Sequence, residues 1–173
     1  MFVVPSYSQF LDVRRKSWQN KACGVAAVKM VVDFWNGVGK QVRNFTCDDL
    51  IDLGLKNDAY LENIGWKHTG LIKIARKLGL AGKNFDWFDQ PPKIAFKKII
   101  PWLKKYPVIV SIYLNFRPNY SSHLIVLTSF DSKTIFYNEP AAKTRRGIKR
   151  RVSLKKFLRG WKRRIIVIYP KFS

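Results

Sequence analysis

The segment Lys21-Ala22-Cys23-Gly24-Val25-Ala26-Ala27-Val28-Lys29-Met30 predicts a buried helix that carries a thiol on its first turn. Apolar residues continue beyond it at the i, i+3, i+4, i+7 spacing of a helix with a buried face. Asn36 and Gly37 predict the end of this helix. The free N–H groups and the dipole of a helix N-terminus stabilise a thiolate, the nucleophilic form of cysteine. Cys23 is therefore a candidate nucleophile, although cysteine is also often buried for packing alone.

The length and composition of the chain predict one domain spanning residues 1–173. The 173 residues are 47% hydrophobic, which is enough to build a core. The N-terminus shows no charged and then apolar leader, and the longest apolar runs are too short to cross a bilayer. We therefore expect a cytoplasmic protein without a transmembrane segment.

Two cysteines and two histidines limit the kinds of site that the chain can build. Two cysteines cannot form a disulfide framework, and the four residues lack the spacings of a zinc finger. We therefore expect reduced thiols, no metal and no cofactor.

The chain is strongly basic, with 33 Lys and Arg against 11 Asp and Glu and a net charge of +22. No acidic residue follows Glu139, whereas lysine and arginine recur through the whole C-terminal region. Such a region predicts non-specific contact with nucleic acid or with an anionic membrane surface. The alternative is a general electrostatic character with no dedicated partner.

Helix signals fill the first half of the chain and strand signals fill the second. We predict helices after Thr46 as N-cap, over Gly70–Leu78 with Thr69 as N-cap, and over Ile94–Lys105. The β-branched and aromatic runs that predict strands are Val108–Leu114, His123–Phe130, Thr134–Tyr137 and Ile165–Tyr169, with a short helix opened by Ser153 before the last. Helices followed by strands are typical of an α+β domain with two segregated lobes.

His123 and the residues near Asn138 provide the other candidate catalytic groups. The turn at Asp131-Ser132 predicts a hairpin that begins at His123 and ends at Asn138-Glu139-Pro140. A two-residue turn places His123 opposite Pro140 on the face of Asn138, and a three-residue turn places it opposite Glu139. A thiolate needs an imidazole as its ion-pair partner, and the imidazole needs a third group to orient it. Cys23, His123 and either Glu139 or Asn138 supply that set. His68, at a predicted helix start, is expected at the surface.

Several short pieces of the chain occur in the order in which one known family has them. They are Val4 to Gln9 with the pattern Val-Pro-x-x-x-Gln, Cys23-Gly24 with its helix, Leu78-Gly79-Leu80, Pro107 to Val110, His123 with its strand, Asn138-Glu139-Pro140, and Phe157 to Trp161. By these pieces the chain resembles the papain-like cysteine peptidases of the bacteriocin-processing (double-glycine peptidase) type and their broad relatives. The resemblance implies a papain-like fold, with an N-terminal helical lobe around a central nucleophile helix and a C-terminal antiparallel sheet lobe.

The resemblance also implies a role for each matching residue. Cys23 is then the nucleophile and His123 the general base and acid. Glu139 stands where the family usually has aspartate, with Asn138 as the alternative third residue. Gln9 is the implied oxyanion-hole donor, and Gln19 is the alternative because Gln9 lies farther from the cysteine than in the tightest members of the family.

These observations predict a thiol hydrolase, a peptidase that cleaves a peptide or amide bond through an acyl-enzyme on Cys23. The basic surface favours an acidic peptide or protein substrate by electrostatic steering. Transpeptidation and deamidation would use the same residues. The alternative from another class is a catalytically silent relative whose basic C-terminal region binds nucleic acid or an anionic surface.

Overall fold

A six-stranded antiparallel sheet forms the centre of the protein in the computed structural model, which describes residues 2–39 and 44–171. The strand order is β3-β8-β4-β5-β6-β7. These strands are β3 (Leu80–Asp86), β4 (Val108–Tyr113), β5 (Ser122–Phe130), β6 (Thr134–Asn138), β7 (Lys149–Ser153) and β8 (Trp161–Pro170). A separate two-stranded hairpin is formed by β1 (Tyr60–Leu61) and β2 (Gly65–Trp66).

Five helices cover the two faces of the sheet. They are α1 (Cys23–Gly37), α2 (Cys47–Leu55), α3 (His68–Lys77), α4 (Pro92–Leu103) and α5 (Leu154–Gly160), with short 3₁₀ turns at Lys16–Trp18, Leu114–Phe116 and Arg145–Gly147. The central strands are buried on both faces, because alternate residues of each strand point to opposite sides. Ile109 and Val126 pack with α1–α3, whereas Val110 and Ile125 pack with α4 and α5. The α+β prediction is confirmed, and α4 lies on the face of the sheet opposite to α1–α3.

Side-chain caps explain where two of the helices begin. Thr46 accepts from the backbone N–H of Asp49, whose carboxylate accepts from the N–H of Thr46, so the predicted cap of α2 is a complete capping box. Ser153 caps α5 as predicted, by accepting from the N–H of Lys156. The prediction for α3 is wrong by two residues, because the helix begins at His68 and its N-cap is Lys67 rather than Thr69.

Three strand elements were not predicted from the sequence. Two of them, β3 and β7, are the edges of the sheet, so each pairs with one neighbour only. Both have exposed basic residues, such as Lys83 in β3 and Arg151 in β7, and neither shows the continuous apolar run of a central strand. The third element is the β1–β2 hairpin, whose strands are too short to show any period. Within the described ranges, no helix has the length and apolarity needed to cross a membrane.

We predict that Gly70→Ala destabilises the protein by about 1–3 kcal/mol, because the new methyl group overpacks the contact between α3 and the residue that precedes β1. A Cβ atom at Gly70 would lie 2.5 Å from the Cα of Ala59. Gly37→Ala in α1 is the matched control, since a Cβ there has nothing within 4 Å. That variant should be as stable as the wild type or up to about 1 kcal/mol more stable. Urea unfolding measures both, and equal stability of the two variants would contradict the packing argument.

Candidate active site

Cys23 is the first residue of α1 and lies against the start of β5. As an N-terminal helical residue, its backbone N–H is not used by an i to i−4 bond within the helix. The side chain of His123 and the backbone N–H of Leu124 lie beside the sulfur of Cys23, and both favour its thiolate form. A Cβ atom at Gly24 would lie 3.0 Å from the Trp66 ring, so a small residue after the cysteine lets α1 approach β2. The helix thus brings a partly exposed thiol to an imidazole.

His123 links the thiol to a carboxylate. The residue is buried in β5, where it pairs with Ile112 of β4. Its Nε2 atom lies 2.5 Å from Oε1 of Glu139. Because Nε2 contacts Glu139, Nδ1 is the ring nitrogen that faces the sulfur of Cys23. The imidazole of His123 therefore lies between the thiol of Cys23 and the carboxylate of Glu139.

Neither predicted register of the β5–β6 hairpin occurs. Phe130 pairs with Ile135 across a longer turn, and a bulge between Leu127 and Ser129 shifts the pairing again. The Asp131 carboxylate stabilises this turn by accepting from the N–H groups of Lys133 and Thr134. The ladder ends where Val126 pairs with Asn138, so His123 has no partner in β6. Its contact with Glu139 is made by the side chains alone, at the corner that follows β6.

The corner after β6 distinguishes between the two candidates for the third residue. Glu139 contacts His123, and its Oε1 also accepts from the N–H of Ala141. The Asn138 side chain instead donates to the carbonyl oxygen of Pro5 at 3.2 Å. The structure therefore places Glu139 beside the imidazole, whereas Asn138 holds the N-terminal segment.

The electrostatics of the three groups favour a thiolate–imidazolium pair. Burial opposes the charged form of His123, but hydrogen bonds with Cys23 and Glu139 and their negative charges raise its pKa to about 10. Burial also opposes ionisation of Cys23, yet the hydrogen bond and charge of His123 lower the pKa of this thiol. The pKa of Glu139 is lowered as well, because His123 outweighs the cost of burial. Each group is thus stabilised in the charged form that nucleophilic catalysis needs.

The two candidate oxyanion donors have different surroundings. Gln19 lies outside the regular elements, and its Nε2 donates to the carbonyl oxygens of Phe10 and Val13. Gln9 is 5% exposed, and its backbone N–H donates to the carbonyl oxygen of Pro140, next to Glu139. The Oε1 atom of Gln9 is buried and has no hydrogen-bond partner among the described residues. Gln19 therefore holds a loop together, whereas Gln9 is buried at the corner that carries the carboxylate.

A cleft of about 400 Å³ opens at Cys23 and His123. One wall is the β1–β2 hairpin, whose exposed residue Ile64 lies at the mouth of the cleft. The salt bridge between Lys21 and Glu62, with 2.9 Å between Nζ and Oε1, links this hairpin to the loop before α1. The cleft can therefore hold an extended chain beside the thiol.

His68 also lines the cleft, so the expectation of a surface histidine is wrong. Its Nε2 atom lies 2.8 Å from the hydroxyl of Ser111 on β4. Burial, and then the positive charge of Arg164, lower the pKa of His68, which favours its neutral form. No signal in the sequence links His68 to Ser111, because the contact joins the start of a helix to a strand 43 residues later.

No group of three or more His, Cys, Asp or Glu side chains with the geometry of a metal site occurs within residues 2–39 and 44–171. The second cysteine, Cys47, is buried in α2. Burial, and then the negative charge of Asp12, raise its pKa to about 12. The two thiols therefore differ strongly in their tendency to ionise.

Comparison with known proteins identifies a family for the chain. Residues 4–165 match the family model described as Peptidase_C39 like family. None of the curated proteins is significantly similar to the chain in sequence.

Solved structures share the fold at low sequence identity. A double glycine motif protease from an AMS/PCAT transporter, solved with its leader peptide, is 20% identical, with a TM-score of 0.64 over 98% of this chain and 94% of that one. A C39-like peptidase from Bacillus anthracis is 17% identical, with a TM-score of 0.68 over 100% and 97%. The peptidase domain of Streptococcus ComA, a bi-functional ABC transporter, is 19% identical, with a TM-score of 0.60 over 88% and 93%. At these identities the structures show the fold alone.

We predict that iodoacetamide alkylates Cys23 at pH values well below the ordinary thiol pKa of 9.0, because His123 stabilises the thiolate. Cys47 should stay nearly unreactive over the same pH range, since burial raises its pKa to about 12. In His123→Ala, the alkylation of Cys23 at low pH should slow to the rate of an ordinary thiol. Peptide mass spectrometry measures both rates in one sample, and a Cys23 that reacts no faster than Cys47 would refute the ion pair.

Proposed function

The chain belongs to the Peptidase_C39 like family, and on that premise we propose that it is a cysteine peptidase that cleaves a peptide bond through an acyl-enzyme on Cys23. Membership of this family was predicted from the ordered short motifs, and that prediction is confirmed. The single observation that carries the proposal is the continuous contact from the Cys23 thiol through His123 to Glu139.

The proposed reaction follows from the order of these contacts. The Cys23 thiolate attacks the carbonyl carbon of the scissile bond, and the imidazolium of His123 gives its proton to the departing amine. The neutral imidazole then takes a proton from water, whose oxygen attacks the thioester and releases the acid product and the Cys23 thiolate. Glu139 holds the ring with Nδ1 towards the sulfur and stabilises its charged form.

Gln9 is the proposed side-chain donor to the oxyanion, together with the backbone N–H of Cys23. Two observations support it over Gln19. The amide of Gln19 already donates to two carbonyl oxygens. Gln9, by contrast, is fixed by its own backbone beside Pro140, one residue beyond the carboxylate that orients His123.

A peptide is the proposed substrate. The cleft beside Cys23 suits an extended chain, and one structure with the same fold was solved with a leader peptide. The net charge of +22 favours an acidic substrate, because a positive field raises its local concentration and its association rate.

We predict that Cys23→Ala abolishes cleavage of a peptide mixture prepared by digesting a whole proteome, since no other thiol lies at the cleft. New peptide termini, counted by mass spectrometry, give the readout.

Gln9→Ala should lower kcat for a cleaved peptide by about 10²–10³-fold. Gln19→Ala is the matched control and should change kcat only a few-fold while lowering the Tm, because its amide ties Phe10 to Val13. Undiminished cleavage by Cys23→Ala would refute the proposed function.

With increasing pH, kcat/KM should rise at pH values below the ordinary thiol pKa, because Cys23 ionises there. It should fall near pH 10, where His123 loses its proton. Because the pKa of folded His123 lies above its ordinary 6.5, its ion pair stabilises the fold fully below pH 6.5. That stabilisation is lost as the pH rises through about 10. Glu139→Gln should move the falling limb to lower pH, since the carboxylate helps to raise the pKa of His123.

Asp89→Asn is the matched control for the pH profile, because Asp89 is an exposed carboxylate in the loop before α4. It removes the same charge as Glu139→Gln and should leave both limbs unchanged. An unshifted falling limb in Glu139→Gln would show that the carboxylate does not control the histidine.

A further inference from the structure

The two helices on the far face of the sheet carry only positive charges. Residues 92–103 of α4 and 154–160 of α5 contain no Asp or Glu. Their exposed charged side chains are Lys93, Lys97, Lys98, Lys155, Lys156 and Arg159. We call α4 and α5 together the outer helical layer.

A groove of about 860 Å³ crosses this layer where α4 and α5 begin. Its floor is apolar, formed by Pro91 and Pro92 at the start of α4 and by the half-buried Leu154 and Leu158 of α5. Its rim is cationic, and consists of Lys93, Lys133, Lys155 and Arg159. An apolar floor inside a ring of cations matches a ligand with both apolar and anionic parts.

The cations of the layer are not neutralised within the protein. No salt bridge involves the four rim residues within residues 2–39 and 44–171. Two acidic residues lie at the margin, Asp89 and Asp131, and both are exposed. Asp131 accepts from the backbone N–H groups of Lys133 and Thr134, so it serves the β5–β6 turn. On the other face some cations have acidic partners, as in the Arg15–Asp48 and Lys29–Asp33 pairs.

We propose that the outer helical layer docks on an anionic lipid bilayer, with its lysines at the phosphate groups and the groove floor at the acyl boundary. Compact lysine charges spread over two helices suit a surface of many anionic headgroups. Two partly exposed aromatic side chains pack on this face, Trp87 before α4 and Trp102 within it, and residues of this type favour the membrane interface. A nucleic acid backbone would match the lysines but would leave the apolar floor unused.

This docking leaves the candidate active site free. Cys23 lies with α1 on one face of the sheet, and the outer helical layer lies on the opposite face. A chain held on the bilayer would therefore keep its cleft open to a substrate near that surface. The proposal does not depend on the proposed peptidase activity, because binding can be measured with Cys23 replaced.

Co-sedimentation with vesicles tests the proposal directly. The full chain should bind vesicles of phosphatidylcholine mixed with phosphatidylglycerol and not vesicles of phosphatidylcholine alone. The rim variant Lys93→Gln, Lys133→Gln, Lys155→Gln, Arg159→Gln should bind the anionic vesicles at least about tenfold more weakly. The control variant replaces four exposed cations elsewhere, with Lys16→Gln, Lys56→Gln, Lys73→Gln and Lys77→Gln. It has the same net charge and should bind within about threefold of wild type.

Two further measurements separate a bilayer from other anions. Leu158→Ser should weaken vesicle binding at high salt, where the apolar contact carries more of the affinity, and should leave binding to a DNA duplex unchanged. Circular dichroism checks that each variant is folded. The proposal is overturned if wild type ignores anionic vesicles, if the rim and control variants weaken equally, or if the rim variant loses only DNA binding.

Discussion

The buried hydrogen bond between His123 and Glu139 is the contact on which the candidate active site depends. It joins the start of β5 to the corner after β6, and no backbone pairing connects these two points. A buried ion pair stabilises a fold only when its other polar atoms are also satisfied. Here the carboxylate also accepts from Ala141, and the imidazole also meets the sulfur of Cys23. The contacts that offset the cost of burying this ion pair therefore also orient the imidazole ring of His123.

The N-terminal segment connects this corner to the helix that carries the thiol. Ser8 donates its hydroxyl to the carbonyl oxygen of Ala142, and Asp12 binds Arg145 through two hydrogen bonds of 2.7 Å. On the other side, the hydroxyl of Tyr7 donates to Asp33 in α1, whose carboxylate also pairs with Lys29. A stretch with no regular secondary structure thus fixes the distance between the nucleophile helix and the sheet.

The features that were predicted best are those that depend on residues close together in the sequence. The apolar stripe after Cys23 and the caps at Thr46 and Ser153 gave helices at the right places, since these signals act within one turn. The ordered motifs predicted Cys23, His123 and either Glu139 or Asn138 as catalytic residues, and the structure brings the first two together with Glu139. What depends on distant contacts was not predictable. The predicted hairpin register was wrong because the turn is longer than expected and a bulge then shifts the pairing again without changing the apolar pattern. The contact of His68 with Ser111 depends on the whole fold.

The positive charge of the edge strands also has a consequence for how copies of the chain behave together. An exposed strand edge offers unpaired N–H and C=O groups to any other edge, which is the usual route by which sheets join into aggregates. At one edge of this sheet β3 exposes Lys83, and at the other β7 exposes Lys149, Arg150 and Arg151. Two copies meeting at their β7 edges would therefore bring cation against cation along the strand. Electrostatic repulsion therefore opposes the extension of the sheet by a second copy at this edge.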